Sequence, residues 1–354
     1  MLMKKIGSLL GLGVLTLLLG ACGAPGRGSA AQTPAVREFF AMDTFMSVQV
    51  WGAGGEAAAA ALQTETVRLE GLFSRARAES DITRLNARAG DGTQVPLSPE
   101  TVQVLAAAGE VRRAVGGTFD VTVAPVMDLW GFGAGGTGCR VPDPQALSRC
   151  LALVDGGKLE TGDGWARLEE PGMEADLGGI AKGYTAGRLV ELLGEYEVSS
   201  ALLNLGTSTI AAVGARPDGT PWRVALRDPR QEEGQIMVLA LSDRILSTSG
   251  GYERFFEADG SIYHHILDPR TGWPAGSGLL SVTVVAEDGA LSDVLSTALY
   301  VLGPEAAVDL WRTAGDFECV LCQTDGVVLV TEGLEDQMTF GGEDYGYTCE
   351  IVRR

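Results

Sequence analysis

The chain has 354 residues, 45% of them hydrophobic, and is therefore long enough to bury a substantial core in one large or two smaller domains. Acidic residues outnumber basic ones by 46 to 27, which gives a formal net charge of −19. Nucleic acids and anionic lipid surfaces both attract basic proteins, so this charge excludes a nucleic-acid partner and electrostatic docking on an acidic membrane.

The amino terminus has the pattern of an export signal. Lys4 and Lys5 precede an uncharged, leucine-rich run over residues 6–21. About 16 apolar residues are too few for a stable membrane-spanning helix, but they suit the hydrophobic part of a signal peptide. The sequence therefore predicts an exported protein.

The signal ends in Leu-Gly-Ala-Cys, which resembles a bacterial lipoprotein signal. Residues 1–21 would then be removed and Cys22 would carry the lipid, which predicts a protein anchored on the extracytoplasmic face of the cell membrane. An ordinary signal anchor with a coincidental cysteine is the alternative. Residues 22–35, rich in Gly, Ala and Pro, are predicted to be a flexible tether, and residues 36–354 the folded domain.

Helical and strand patterns follow one another without regular alternation. Met46, Val48 and Val50 alternate with polar residues and predict a half-buried strand. Ser98 and Pro99 are typical of a helix start. Helices are predicted over 56–73, from Pro99 to about Val115, and over 182–193, 292–302 and 304–313. Strands are predicted over 201–205, 210–213, 222–226, 236–241, 245–248, 279–285 and 327–330. This arrangement favours an α+β fold.

Five cysteines follow Cys22, and two of them, Cys319 and Cys322, have the spacing of a redox or metal motif. They lie in an apolar run that ends in a turn, and a second Cys-x-x-Cys is absent from the sequence. We therefore interpret them as buried structural thiols on a strand.

The segment Asp176-Leu-Gly-Gly-Ile-Ala-Lys-Gly183 joins a turn to a predicted helix start. Exposed N–H groups at a helix start attract anions, and Lys182 adds a positive charge. The spacing fits neither a Walker loop nor the Gly-x-Gly-x-x-Gly motif. The segment thus predicts a phosphate-binding turn, with a plain joint to the helix as the alternative.

Asp293 and Thr297 lie four residues apart on a predicted helix and therefore share one face. A carboxylate and a hydroxyl one turn apart suit Mg²⁺, which needs few protein ligands when a substrate phosphate supplies the rest. The alternative is an ordinary acidic residue near a helix start.

The two histidines of the sequence are adjacent, His264 and His265. In a strand they face opposite sides, so at most one of them points into a given pocket. A partly neutral histidine suits a general base, and the turn-forming Asp268-Pro-Arg-Thr-Gly272 follows the pair.

These motifs together resemble the signatures of the ApbE family, the FAD:protein FMN transferases. The matching segments occur in the family's order and cover about residues 38–335. They are Ala41 to Met46, Phe119 to Pro125, Leu129 to Phe132, Asp176 to Gly183, Ser247 to Arg254, His265 to Gly272 and Ser292 to Leu299.

The resemblance implies an α+β fold of the T-fold kind, with mixed sheets packed against helices. It also implies Mg²⁺-dependent transfer of FMN from FAD to a Thr or Ser hydroxyl of an exported acceptor protein, with release of AMP. By position, the residues implied to bind FAD are Met42, Thr118, Phe119, Asp120, Asp176, Lys182 and Leu267. The implied metal ligands are the Gly179 carbonyl, Asp293 and Thr297, and the predicted catalytic residues are His265 and Asp293.

Two segments depart from the family pattern. Arg75-Ala-Arg77 stands where an aromatic residue is common, which predicts the loss of a stacking partner for FAD, and Gly206-Thr-Ser-Thr209 replaces a Gly-Gly-Asp type of turn. An acceptor sequence of the Ser-Gly-Ala-Thr kind is not evident in the chain. We therefore expect this chain to be the enzyme that attaches FMN and not the protein that receives it. The alternatives are an FAD pyrophosphatase that yields FMN and AMP, and a non-catalytic flavin-binding lipoprotein.

Overall fold

The computed structural model describes residues 33–133 and 138–354. The signal peptide, the lipidation of Cys22 and nearly all of the tether lie outside the described residues and stay predictions. Within the described ranges, no helix is both long enough and apolar enough to cross a bilayer.

The described residues form eight α-helices and seventeen strands. The helices are α1 (Gly55–Phe73), α2 (Asp81–Asn86), α3 (Pro99–Ala114), α4 (Ala124–Trp130), α5 (Pro144–Leu151), α6 (Ala181–Leu193), α7 (Gly289–Leu302) and α8 (Pro304–Ala314). The strands are β1 (Ala35–Ala41), β2 (Thr44–Trp51), β3 (Val95–Pro96), β4 (Leu159–Gly162), β5 (Trp165–Leu168), β6 (Ser200–Leu205), β7 (Thr209–Val213), β8 (Trp222–Arg227), β9 (Gln235–Leu241), β10 (Arg244–Gly250), β11 (Phe255–Ala258), β12 (Ser261–His264), β13 (Leu279–Ala286), β14 (Phe317–Gln323), β15 (Val327–Thr331), β16 (Met338–Phe340) and β17 (Thr348–Val352).

Nine strands form a central sheet in the order β1-β2-β6-β7-β10-β13-β14-β15-β17. Neighbouring strands are antiparallel, except that β15 and β17 are parallel. Smaller sheets have the orders β16-β9-β8, β3-β5-β4 and β11-β12. Antiparallel sheets combined with separate helices confirm the prediction of an α+β fold.

Both faces of the central sheet are covered, which explains the apolar character of β13. Val284 belongs to the core under the helices, whereas its neighbour Val285 packs in the core shared with β8 and β9. A strand that is buried on both faces needs an apolar run and not an alternating pattern. The strand therefore lies in the middle layer of the molecule, between the helices on one side and the sheet of β8 and β9 on the other.

The strand β10 differs from β13 because small polar side chains line both of its faces. Ser247 Oγ lies 2.9 Å from Ser292 Oγ of α7, and Ser249 Oγ lies 2.7 Å from Ser296 Oγ. The side chain between them, Thr248, points to the opposite face, where its hydroxyl pairs with that of Thr283. Hydroxyl contacts thus hold α7 against the end of β10.

The predicted helices and strands are confirmed to within a few residues at their ends. The largest shift is at α7, which begins at Gly289 and not at residue 292, because Asp288 caps it by accepting the Leu291 N–H. Cys319 and Cys322 lie on β14 and are buried, as predicted. Burial raises the pKa of Cys322 to about 12, so this thiol is unreactive near neutral pH.

Candidate active site

The start of α6 lies against the first turns of α7. The Gly183 N–H donates a hydrogen bond of 2.9 Å to Oδ2 of Asp293, whose side chain is buried. Burial raises the pKa of Asp293, and the charge of Lys182 and the Gly183 N–H oppose that shift. A buried carboxylate with so little compensation favours a bound cation.

The three predicted metal ligands converge at this point. Thr297 lies one helical turn after Asp293, and its hydroxyl is 3.0 Å from Ser249 Oγ. Gly179 lies beside it, since a Cβ added at Gly179 would be 3.8 Å from Thr297 Oγ1. A carboxylate, a hydroxyl and a carbonyl are hard oxygen donors, so these residues fit Mg²⁺.

In the part of the chain that the structure describes, no group of three or more His, Cys, Asp and Glu side chains could hold a metal ion. A metal site at Asp293 therefore depends on hydroxyl and carbonyl oxygens from the protein. Mg²⁺ commonly completes such a sparse set with oxygens from phosphate and water.

His265 directly follows β12 and is half-buried. Its Nδ1 lies 3.2 Å from the Arg254 carbonyl oxygen. Because a carbonyl only accepts, Nδ1 carries the proton in this contact and Nε2 keeps a free lone pair. Burial of the ring lowers the pKa of His265 to about 3, and the charges of Arg254 and Lys182 act in the same direction. The ring is thus neutral at pH 7.

The adjacent His264 has different surroundings, as the strand alternation predicts. Its Nε2 lies 3.2 Å from the Ala275 carbonyl oxygen, and its ring meets the ring of Tyr300 edge-on. The ring of His265 instead meets Phe132 edge-on. The charge of Lys182 affects the pKa of both Asp293 and His265, so it lies within electrostatic reach of both groups.

Several of the predicted FAD residues surround the start of α6. Met42 is half-buried in the turn between β1 and β2, and its Sδ is 3.9 Å from the hydroxyl of Thr185. Phe119 contacts the turn before α6, since a Cβ at Gly179 would be 2.9 Å from the Phe119 ring. Asp176 stabilises the same turn, because its Oδ1 accepts the Gly178 N–H at 2.7 Å.

The side chains of Thr118 and Asp120 have partners within the fold. Asp120 accepts hydrogen bonds from the Arg112 guanidinium at 2.6 Å and the Gly156 N–H at 2.8 Å, and Thr118 donates to the end of α3. Leu267 is buried in a separate small core beside α4. Their contact with FAD stays a prediction.

Two residues of the site carry no role in the sequence predictions. Ser249 contacts Thr297. The sequence signal that could have identified Ser249 is the run of small polar residues in β10, where a buried strand usually has apolar ones. Arg75, predicted only as a missing aromatic, is nearly buried and forms ion pairs with Asp128, Glu174 and Asp176. It thereby ties the end of α1 to the turn before α6.

Fold and site together define an α+β protein with a site suited to a phosphate-bearing ligand and a hard cation. The sequence profile of the ApbE family matches residues 42–321, which is most of the chain. The chain belongs to the ApbE family, as its motifs predicted.

Known relatives span nearly the same length. A protein of Klebsiella pneumoniae (strain 342) named FAD:protein FMN transferase is 32% identical over 86% of this chain and 89% of its own. One of the same name from Treponema pallidum (strain Nichols) is 32% identical over 92% and 94%. The apo flavinyl transferase ApbE of Pseudomonas stutzeri superposes with a TM-score of 0.77 at 30% identity, covering 87% of this chain and 98% of that protein. The ApbE protein of Thermotoga maritima gives 0.79 at 27%, covering 86% and 99%.

Proposed function

We propose that this protein transfers the FMN part of FAD to a Thr or Ser hydroxyl of an acceptor protein, with Mg²⁺ bound and with release of AMP. The observation that carries the proposal is the convergence of Asp293, Thr297 and Gly179 beside Lys182. The names of the relatives, FAD:protein FMN transferases, supply the substrate and the kind of acceptor.

The transfer forms one bond and breaks one. The acceptor oxygen bonds to the phosphorus of the FMN phosphate, the bond from that phosphorus to the bridging oxygen breaks, and AMP leaves with that oxygen. Mg²⁺, when held by Asp293, Thr297 and the Gly179 carbonyl, would neutralise pyrophosphate charge. Lys182 and the N–H groups at the start of α6 provide further positive charge for the phosphates.

His265 is suited to take the proton of the acceptor hydroxyl. Its Nδ1 is fixed on the Arg254 carbonyl, which leaves Nε2 as the accepting atom. The low pKa keeps the ring neutral but also makes it a weak base. This suffices for a loose transition state, in which the attacking oxygen loses its proton late.

We also propose that the protein is located at the cell membrane. Lipidation at Cys22 would anchor the protein on the extracytoplasmic face of the membrane, where its acceptor is an exported protein. The support is the sequence pattern of residues 1–35. In cells, Cys22→Ser is expected to move the protein from the membrane fraction to the soluble exported fraction, and retention of the variant in the membrane would contradict the anchor.

The decisive experiment uses the full chain in detergent, FAD, MgCl₂ and an acceptor domain that carries a Ser-Gly-Ala-Thr segment. Mass spectrometry is expected to detect an acceptor that is heavier by the mass of FMN less one water. No such mass increase is expected when the acceptor Thr is replaced by Val. Asp293→Ala is expected to abolish transfer. The matched control is Asp288→Asn on the same helix, because Asn still caps α7.

Two other results would replace the proposal. Release of FMN and AMP with an unmodified acceptor would identify an FAD pyrophosphatase. Recovery of intact FAD after long incubation with MgCl₂ would identify a non-catalytic flavin-binding lipoprotein.

A further inference from the structure

A cavity of about 250 Å³ lies on the face of β10 that points away from α7. We call it the β10 cavity. Its polar lining consists mainly of Asn204, Ser208, Thr248, Tyr252, Ser281 and Thr283. None of these residues belongs to the candidate active site described above.

The β10 cavity and the predicted metal ligands share one strand end. Thr248 lines the cavity, and the next residue, Ser249, faces the other way and contacts Thr297. The strand then leaves the sheet through Gly251, where an added Cβ would lie 3.0 Å from the ring of His264. A bound polypeptide in extended conformation, at about 3.3 Å per residue, would need only a few residues to pass from the cavity face of β10 to the face that contacts α7.

The lining combines these polar side chains with apolar ones, namely Ile210, Ala225, Leu226, Ile236, Leu246 and Val320. The hydroxyls of Thr248 and Thr283 are 2.8 Å apart, and Ser208 Oγ is buried with no hydrogen-bond partner among the described residues. The charged lining residues, Arg227 and Glu253, form an ion pair with each other at 3.5 Å. An unpartnered buried hydroxyl is costly unless a ligand satisfies it.

Size and charge both argue against the dinucleotide as the occupant. Sites for small molecules usually have about 300–1,000 Å³, so this cavity is smaller than a site that encloses a dinucleotide is expected to be. A pyrophosphate would also need cationic groups, and the guanidinium of Arg227 is already stacked over the ring of Tyr252 at 4.7 Å and paired with Glu253. The lining instead fits one or two uncharged residues of a polypeptide, which offer both donors and acceptors.

The rim of the cavity contains a strained residue. Thr207, in the turn between β6 and β7, has a φ of 63°, which is unusual for a β-branched side chain. Its neighbour Ser208 is fixed by the Thr248 N–H, which donates to the Ser208 carbonyl at 2.8 Å. Such strain persists where the surrounding structure enforces it, often at binding sites.

We propose that the β10 cavity binds the acceptor polypeptide next to the residue that receives FMN. The inference rests on the proposed function, because the acceptor hydroxyl must reach phosphate held near Thr297 while the flanking residues need a site of their own. The acceptor segment would pass over the end of β10 at Gly251, with one flanking side chain in the cavity.

The test compares two substitutions at one position, with the Ser-Gly-Ala-Thr acceptor domain as the probe. Ser208→Leu places a bulkier apolar side chain in the cavity and removes the hydroxyl, and it is expected to raise the KM for the acceptor domain more than tenfold. Ser208→Ala leaves the cavity open and is expected to raise it about threefold, the effect of one hydrogen bond. The Kd for FAD with MgCl₂ is expected to stay within twofold in both variants.

Thr207→Trp serves as a second variant, because Thr207 is exposed and a large side chain there would block the mouth without entering the core. An unchanged KM in a variant with a normal melting temperature would overturn the acceptor site. Loss of FAD binding in these variants would assign the cavity to the dinucleotide and would also overturn the acceptor site. Absence of FMN transfer by the wild-type protein is a different result, because it would contradict the proposed function itself and not only the acceptor site.

Discussion

At the scale of single residues, burial acts on both groups predicted to be catalytic. It raises the pKa of Asp293 and lowers that of His265, because in each case a low-dielectric environment disfavours the charged form. Asp293 therefore gains from a cation, and His265 from a partner that donates a hydrogen bond. Both needs would be met by a metal-bound phosphate and an acceptor hydroxyl.

Asp293→Asn is expected to separate stability from function. The amide oxygen can still accept the Gly183 N–H, while the buried negative charge is gone, so the metal-free protein should melt about 1–4 °C higher. Thermal unfolding in EDTA and then in MgCl₂ with FAD measures both effects. A variant that keeps the wild-type response to MgCl₂ would exclude Asp293 as a ligand, and Asp288→Asn is again the control.

His265→Asn is expected to flatten the acid side of the stability curve. The pKa of His265 is about 3 in the folded protein and about 6.5 in an unfolded chain, so between these values the unfolded state binds more protons. The free energy of unfolding therefore falls as the pH decreases below 6.5, by at most about 1.4 kcal/mol per pH unit from this group. Urea unfolding between pH 7.5 and pH 5 compares the slopes, and parallel curves would contradict the assignment.

At the scale of elements, the site depends on the close approach of α6 and α7. A Cβ added at Gly183 would lie 2.0 Å from the Gly289 carbonyl oxygen and 2.5 Å from Asp293 Cβ. A Cβ added at Gly289 would likewise lie 2.2 Å from the Gly183 carbonyl oxygen, so packing requires both glycines. The same contact places the start of α6 where its N–H groups can meet phosphate beside Asp293.

Gly183→Ala is expected to push these helices apart. Overpacking of this kind costs about 1–3 kcal/mol, and Asp293 loses its N–H partner as well, so FAD affinity in MgCl₂ should fall more than tenfold. Gly187→Ala is the matched control on the same helix, because the nearest atom to its added Cβ is 3.9 Å away. That variant should be more stable than the wild type by about 0.5–1 kcal/mol. Equal behaviour of the two variants would refute the packing argument.

Local patterns predicted the elements of this fold but not their pairing. Pro99 and the alternation through Met46 act within a few residues, so the start of α3 and the identity of β2 could be read directly. The place of β10 between β7 and β13 depends on partners far apart in the sequence, which no local pattern encodes. The contact of Ser249 with Thr297 could not be predicted for the same reason, because these residues are also far apart in the sequence.

Arg75 illustrates the limit at the site itself. The sequence identifies it as a departure from an aromatic position, but its three acidic partners, Asp128, Glu174 and Asp176, lie 53 to 101 residues further along the chain. Only the folded chain brings these carboxylates together. The departure from the aromatic therefore adds an ionic link beside the turn before α6 and does not simply remove a contact.

At the scale of the whole molecule, the candidate site joins parts of the chain that fold into different regions. Met42 follows β1, Phe119 follows α3, the turn at Gly179 precedes α6, and His265 and Asp293 belong to the second half. The net charge of −19 opposes the gathering of a further anion such as FAD. A cation that binds together with FAD offsets that repulsion.

FAD and Mg²⁺ are therefore expected to stabilise the protein cooperatively. A ligand at 100 times its Kd adds about 2.7 kcal/mol to the free energy of unfolding, which corresponds to a rise in melting temperature of roughly 4 °C for a domain of this size. FAD with MgCl₂ should exceed the sum of the separate shifts, because the metal needs phosphate oxygens to complete the sparse set of Asp293, Thr297 and the Gly179 carbonyl. In Asp293→Asn the two shifts should become additive. Additive shifts in the wild type would place the metal away from the phosphates, so thermal unfolding with each ligand alone and with both decides whether metal and dinucleotide share one site.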